Sequence, residues 1–269
     1  MALGDDFAAD LKLKGSWWFY HVQTGKRCLV MIHKSKENAT EQQLKKVMRD
    51  LGKEAASLLS SKKIIEADFI FGSQIEGLAN SAGHFMNEFE NFNYEKSYKR
   101  PAKEELKEGE DPRSKRLTKN VESVSYHFED PTIQESDDYK LLVASSNARL
   151  VAKELVRTRG SVATPTWMTE QAQKIASGSS LVKEVRIIQG DQLVKEGMNL
   201  IWNVGKAATS PPTAVFVHYV GRPEDPETVD HAIVGKGVTY DTGGLNIKVA
   251  MMELMYGDKG GSCAVLGAL

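Results

Sequence analysis

Residues 234–248 read Val-Gly-Lys-Gly-Val-Thr-Tyr-Asp-Thr-Gly-Gly-Leu-Asn-Ile-Lys, and Met252 to Gly261 follow as Met-Glu-Leu-Met-Tyr-Gly-Asp-Lys-Gly-Gly. The apolar, β-branched run Ala232 to Val238 is expected to be a strand, and the glycine-rich stretch behind it the strand's exit, where ligand sites of α/β folds lie. That exit carries Lys236, Asp241, Lys248 and Asp258. The glycines at 235, 237, 243 and 244 permit bends and close approaches that a Cβ would forbid. Asp241 and Asp258 offer oxygen to a hard or borderline divalent cation, and a lysine beside such an ion has its charged form disfavoured. The same glycines would also serve a phosphate loop or a plain tight turn. However, the sequence has no GxxxxGK[ST] motif, no GxGxxG opening a helix, and no HExxH pair among its six histidines.

Working outward, Val185 to Ile188 and Ala214 to Val220 are further apolar runs, expected to be strands buried on both faces. Thr164 and Pro165 form an N-cap followed by proline at the first helical position, predicting a helix to about Ala176. The longest helical pattern spans Ser136 to Arg159, with Leu141, Ala144, Ala148, Val151, Ala152 and Leu155 on one face and Gly160 as its stop. A domain boundary is placed just before it, giving an N-terminal domain at 1–135 and a second at 136–269.

In the front portion, Trp17 to Tyr20 and Arg27 to His33 read as a strand pair. Thr40 with Gln43 is a capping-box pattern ahead of a helix carrying Leu44, Val47, Met48, Leu51, Ala55, Leu58 and Leu59. Ile64 to Phe71 and Val121 to Phe128 have strand character, with an amphipathic helix around Ala82, Phe85, Met86 and Phe89 between them. From Tyr94 to Asn120, mixed charges and two prolines predict an exposed excursion. Strands alternating with helices make the chain α/β.

Composition excludes other classes. With 41% hydrophobic and 26% charged residues, the 269-residue chain is globular in type and long enough for about two domains. A net charge of -1 offers no general attraction to nucleic acid or an anionic membrane. Cys28 and Cys263 show no CxxC spacing, so neither a disulfide framework nor a thiolate zinc site is expected. With no signal peptide or membrane-length apolar run, a cytoplasmic location is the expectation.

The Lys236–Asp241–Lys248 spacing in its glycine context closely resembles the signature of the leucyl aminopeptidase family of dinuclear metallopeptidases. The stretches LVAKELVRTRG, SVATPTWMTEQAQKIA and GMNLIWNVGKAATSPPTAVFVHYVG resemble the family's approach to its active site in the same order. AGHFMNEFENFNYEKSYKR resembles its N-terminal domain more weakly. The resemblance implies a smaller N-terminal α/β domain and a catalytic α/β domain with a mixed central sheet. It implies hydrolysis of N-terminal, leucine-like residues from peptides with two divalent ions, zinc or manganese, in a homo-oligomer, a hexamer in the family. Residue by residue, it makes Lys236 the amine ligand of the more labile metal, Asp241 a ligand of both, and Asp258 the second carboxylate of the labile site. Lys248 would polarise the scissile carbonyl, and Met255 would line the pocket for the substrate's first side chain, with core packing as its alternative.

Two departures accompany the resemblance. Lys248 and Asp258 are one residue closer than is usual in the family, so Asp258 is expected to sit too far from Lys236 to share an ion. The family's NTDAEGR segment, which supplies an Asp and a Glu to the metals and an Arg to a bicarbonate, has no counterpart before Leu269. The closing SCAVLGAL reads as a helix apolar on every side, as a buried one is. A truncated chain is therefore expected, impaired as an enzyme or acting as a non-catalytic paralogue that assembles with full-length relatives.

Overall fold

The computed structural model describes residues 16–20, 27–31, 40–61, 64, 66–71, 78–97, 121, 123–128 and 130–269. Contacts divide the chain into two compact units, Met1–Ser146 and Asn147–Leu269.

In the first unit, β1 (Ser16–Tyr20) and β2 (Arg27–Met31) pair antiparallel, as the two apolar runs predict. Helix α1 (Glu41–Ser61) starts with the expected capping box: the Thr40 amide donates to Gln43 Oε1 at 2.9 Å and the Gln43 amide to Thr40 Oγ1 at 3.4 Å. Met48, Ala55, Ala56 and Leu59 form its buried face. Helix α2 (Leu78–Ser97) buries Ala82, Phe85, Met86 and Phe89. It approaches α1 so closely that a Cβ on Gly52 would stand 2.3 Å from the Phe85 carbonyl oxygen.

Strands β3 (Glu66–Phe71) and β4 (Ser123–Phe128) run parallel, and the period-two alternation sends Phe69, Phe71, Tyr126 and Phe128 to the core while Ile70 stays exposed. Phe69 meets Phe85 and Phe89 edge-on at 4.9 and 4.8 Å between ring centroids. Asn93, buried on α2, donates to the Val121 carbonyl and accepts from the Val121 amide, so both backbone groups entering β4 are satisfied. The charged excursion lies, from residue 98 onward, outside the described residues; Tyr94 to Ser97 are the last turn of α2.

Helix α3 (Asp137–Arg157) follows a short 3-10 helix at Pro131–Glu135. The expected single apolar face is not what α3 buries. Leu155 is buried, but Leu141 and Val151 are exposed. The reason is that the helix serves two cores in succession: Tyr139 and Val143 pack on that of the first unit, and Leu155 and Val156 on that of the second. One periodic stripe cannot describe both.

In the second unit, the Thr164 hydroxyl accepts from the Trp167 amide at 3.2 Å to open α4 (Pro165–Ala176), as predicted. β5 (Val182–Gln189) pairs antiparallel with β6 (Thr213–Tyr219), and the short helices α5 (Gln192–Lys195) and α6 (Asn199–Gly205) lie between them in sequence. The expectation of burial on both faces is corrected: only Ile188 in this pair is fully buried, and Phe216 and Tyr219 are about half exposed. Apolar composition identified the strands but not how many faces are covered.

A second correction concerns 232–238, which forms no strand; Val234 is 92% exposed. A strand needs a hydrogen-bonded neighbour. Here the backbone instead meets the start of α7 (Gly260–Ala268), where the Ser262 amide donates to the Lys236 carbonyl at 2.8 Å. Helix α7 is also less enclosed than its all-apolar sequence suggests. It buries Cys263 and Leu266 against Leu155, Met168 and Ala172, while Ala264 and Ala268 are exposed. Among the described residues, no helix is long and apolar enough to cross a membrane.

Candidate functional site

The chain from Lys236 to Asp258 turns on itself through its glycines. Gly243 and Gly244 have φ of 90° and 68°, the left-handed region that glycine enters without strain. A Cβ on Gly243 would stand 2.3 Å from the Asn246 carbonyl oxygen, so both the conformation and the space require glycine. The Lys248 amide then donates to the Thr242 carbonyl at 2.9 Å and closes the loop.

This closure returns Lys248 to Asp241. Its Nζ donates to Asp241 Oδ2 at 2.7 Å and to the Met255 sulfur at 3.1 Å, while the Gly243 amide donates to Asp241 Oδ1 at 2.6 Å. The hydrogen bond from Lys248 is the main reason the Asp241 carboxyl is held below the usual carboxylate range; the Gly243 amide adds to it, as do the charges of Lys248 and Lys236. Met255 is buried beside Lys248.

The second pair is Lys236 with Asp258, Nζ to Oδ2 at 3.1 Å. The expectation that the shortened connection would hold Asp258 away from Lys236 is therefore corrected. The connection tightens at Met251, the one non-glycine residue with positive φ (57°) among those described, and enters the 3-10 helix Met252–Lys259 directly. That turn brings Asp258 round to Lys236.

Two neighbours were not anticipated from the sequence. Arg159, just beyond α3, stacks its guanidinium 4.0 Å from the centroid of the Tyr256 ring and donates to the Glu253 carbonyl at 3.3 Å. Lys259 is completely buried, and its Nζ donates to the carbonyls of Val156 at 2.9 Å, Thr158 at 2.7 Å and Tyr256 at 2.6 Å. Burial pushes its ammonium below the ordinary lysine range, and three acceptors use all three of its donors. Cys263 is buried next to it, with a thiol pushed up by burial, which suits packing rather than nucleophilic work.

The site thus consists of two ion pairs, Lys236 with Asp258 and Lys248 with Asp241, and the side chains of Lys236, Asp241 and Asp258 are each more than a third exposed. Carboxylate oxygen suits a hard or borderline divalent cation, and a lysine adds nitrogen to such a set only after its ammonium gives up a proton. Among the described residues there is no group of three or more His, Cys, Asp or Glu able to hold a metal. A shallow cavity of about 420 Å³ lies elsewhere, lined by Asp191, Val194, Lys195, Asn199, Trp202 and Asn203, and contains none of them.

Comparison with known proteins places this segment. Residues 150–269 match the sequence profile of the cytosol aminopeptidase family, catalytic domain. A Synechococcus sp. protein named "Probable cytosol aminopeptidase" is 42% identical over 120 residues, covering 44% of this chain and 24% of the relative. One of the same name from Persephonella marina is 33% identical over 187 residues, covering 60% of this chain and 36% of the relative. The leucyl aminopeptidase of Trypanosoma brucei, solved in complex with actinonin, superposes with a TM-score of 0.66 at 20% identity, over 98% of this chain and 49% of that one. The bottromycin maturation enzyme BotP, in complex with Mn, gives a TM-score of 0.66 at 18% identity, over 99% of this chain and 52% of that one. The fold is therefore that of leucine aminopeptidases, mixed α/β. The matched stretches span about a quarter to a third of the two relatives' length, and the chain about half of the solved structures.

Proposed function

We propose, from the match of residues 150–269 to the profile of the cytosol aminopeptidase family, catalytic domain, that the chain carries part of a metal-dependent aminopeptidase centre that removes N-terminal, leucine-like residues from peptides. The observation that carries this reading is the pair of lysine–aspartate contacts, Lys236–Asp258 and Lys248–Asp241. Lys236, Asp241 and Asp258 would hold a divalent cation, zinc or manganese, and the family's second ion would share Asp241. When bound, such a cation supplies Lewis acidity and a water of lowered pKa. Bicarbonate has no assigned holder here.

The roles of the chain's own residues follow from their contacts. Asp241 stays ionised because Lys248 and the Gly243 amide hydrogen-bond its two oxygens. Lys248 keeps one ammonium proton on Asp241 and directs another toward the Met255 sulfur, a weak acceptor that a substrate carbonyl oxygen would outcompete. A positive charge fixed in that way stabilises the oxyanion that forms when the carbonyl is attacked. Met255 would present its flexible, polarisable side chain to the first residue of the peptide. A cytoplasmic location, a homo-oligomer of the family's kind and a catalytic domain starting near residue 136 belong to the same proposal.

A second reading, a non-catalytic aminopeptidase paralogue acting as a structural or interaction subunit, is favoured by the exposed apolar side chains around the turn, Val234, Leu245 and Val249. Calorimetric titration of the purified chain with Mn²⁺, and hydrolysis of a leucine chromogenic amide, decide between them. The metal reading expects Mn²⁺ binding that Asp241→Asn removes, and turnover that is lost in Lys248→Ala. No Mn²⁺ binding at millimolar metal would overturn it and leave the subunit reading.

A further inference from the structure

Lys259 is the one charged side chain that is fully buried among the described residues, and nothing in the proposed chemistry uses it. A buried ammonium is costly unless every donor is met. Here all three are met by main-chain carbonyls from two places in the chain: Val156 and Thr158 at the C-terminal end of α3, and Tyr256 within the 3-10 helix. A helix C-terminus leaves its last carbonyls without intrahelical partners and carries partial negative charge, so a cation is suited to that end. The ammonium thus closes two frayed ends at once, one of them in the turn that carries Met255 and Asp258.

We propose that Lys259 is a positioning residue: by binding the end of α3 to the 3-10 turn, it holds Asp258 opposite Lys236 and Met255 against Lys248. The three Lys259 bonds join that turn to the end of α3. The Arg159 contacts with Glu253 and Tyr256 lie at the exposed edge. A neutral side chain of similar length would leave three carbonyls without a donor, and the turn would open to let water reach them. Asp258 adjoins Lys259 in sequence, so its carboxylate moves with the turn. The structural role stands on these hydrogen bonds; its consequence for metal affinity rests on the function proposed above.

The test uses the full chain with Lys259→Met, and Leu193→Ala on α5 as a variant that loses buried volume elsewhere in the same unit. Two readouts need no metal. Hydrogen exchange followed by mass spectrometry reports protection of residues 252–262, and the rate of Lys236 acylation reports whether that amine is paired, with Asp258→Asn as the unpaired reference. Lys259→Met is expected to speed exchange in 252–262 at least tenfold and to bring Lys236 labelling to the Asp258→Asn rate, whereas Leu193→Ala changes neither beyond its global destabilisation. Mn²⁺ affinity should fall at least tenfold with Lys259→Met. Wild-type protection and labelling in Lys259→Met would overturn the proposal, as would lost protection with Lys236 labelled at the wild-type rate. If the wild type binds no Mn²⁺, the metal reading fails while labelling still judges the positioning. Should Lys259→Met not fold, Lys259→Gln, which keeps two donors, is compared in the same way, with an intermediate loss expected and wild-type behaviour counting against.

Discussion

Replacing Gly235 by alanine tests whether the glycines of the candidate site are there for close approach. A Cβ at 235 would lie 2.5 Å from the Gly261 carbonyl oxygen, 2.6 Å from its carbon and 2.6 Å from Ser262 Cα, all backbone atoms that no rotamer change can move aside. Ordinary carbon contacts lie at about 3.5–4.0 Å, so the two segments must part by roughly 1 Å. The Ser262 amide to Lys236 carbonyl bond, now 2.8 Å, would then stretch beyond hydrogen-bonding range. Overpacking costs about 1–3 kcal/mol and the lost hydrogen bond about 1 kcal/mol, together roughly 2–4 kcal/mol. For a unit of this size that lowers the midpoint of thermal unfolding by at least about 6 °C.

The site should register the same movement, because Lys236 is carried by the segment that is displaced and Asp258 by the one it is displaced from. Two glycines serve as controls. A Cβ on Gly257 meets nothing within 4 Å, so Gly257→Ala should stay within about 0.5 kcal/mol of wild type. Gly244 also meets nothing but has φ of 68°, so alanine there should cost about 1–2 kcal/mol through the backbone alone and leave Lys236 labelling unchanged. Calorimetric unfolding with Lys236 acylation measures both effects. Gly235→Ala behaving like Gly257→Ala in both measurements would refute the close-approach reasoning and return these glycines to the status of a plain turn.

Thr164→Ala should destabilise the second unit by about 1 kcal/mol in urea unfolding, with Thr164→Ser restoring most of it, because the hydroxyl accepts from the Trp167 amide; no difference between the two variants would show that the cap contributes nothing. Phe89→Ala, which removes a fully buried ring from the first unit, should cost about 3–5 kcal/mol and is checked by the same unfolding measurement. Tyr126 is half-buried and donates to Glu90, and its desolvation raises its phenol pKa far above the ordinary value of about 10. The folded state thus keeps a proton that the unfolded state releases. This contribution is fully present below about pH 10 and declines above it, as the unfolded chain ionises and the folded one does not. Absorbance at 295 nm should show Tyr126→Phe removing a group that does not titrate near pH 10, and a Tyr126 that titrates normally would contradict it.

Features set by local hydrogen bonds were legible in the sequence. Thr40 with Gln43, and Thr164 with Pro165, mark helix starts because the capping groups lie within three residues of what they cap. Features set by partners were less so. The β-branched run 232–238 was readable as apolar, but a strand is defined by the neighbour it bonds, and its neighbour here is the first turn of α7. The face of α3 escapes the sequence pattern for a related reason: its period is uniform, while the surfaces it meets change along its length. Lys259 gave no signal, since a lysine between aspartate and glycine normally reads as solvated, and two of its three acceptors lie 101 and 103 residues earlier.

For the candidate site, the residues were legible and their pairing was not. Lys236, Asp241, Lys248 and Asp258 alternate in sign along the chain, and each lysine could have met either aspartate. The loop decides: closed by the Lys248 amide on Thr242, it returns Lys248 to Asp241 and leaves Lys236 to Asp258. Neither pair is deeply buried, so each contributes little to stability, of the order of 0–1 kcal/mol. Little is therefore lost when a pair is broken, and this suits the work proposed for them. A divalent cation would take up Lys236 and Asp258 only once the contact between them opens and the ammonium gives up a proton, so its apparent affinity is the difference between what it gains and what that contact gives up. Strong, buried pairs at these positions would make that difference unfavourable. Exposed and weak ones leave the carboxylates open to exchange.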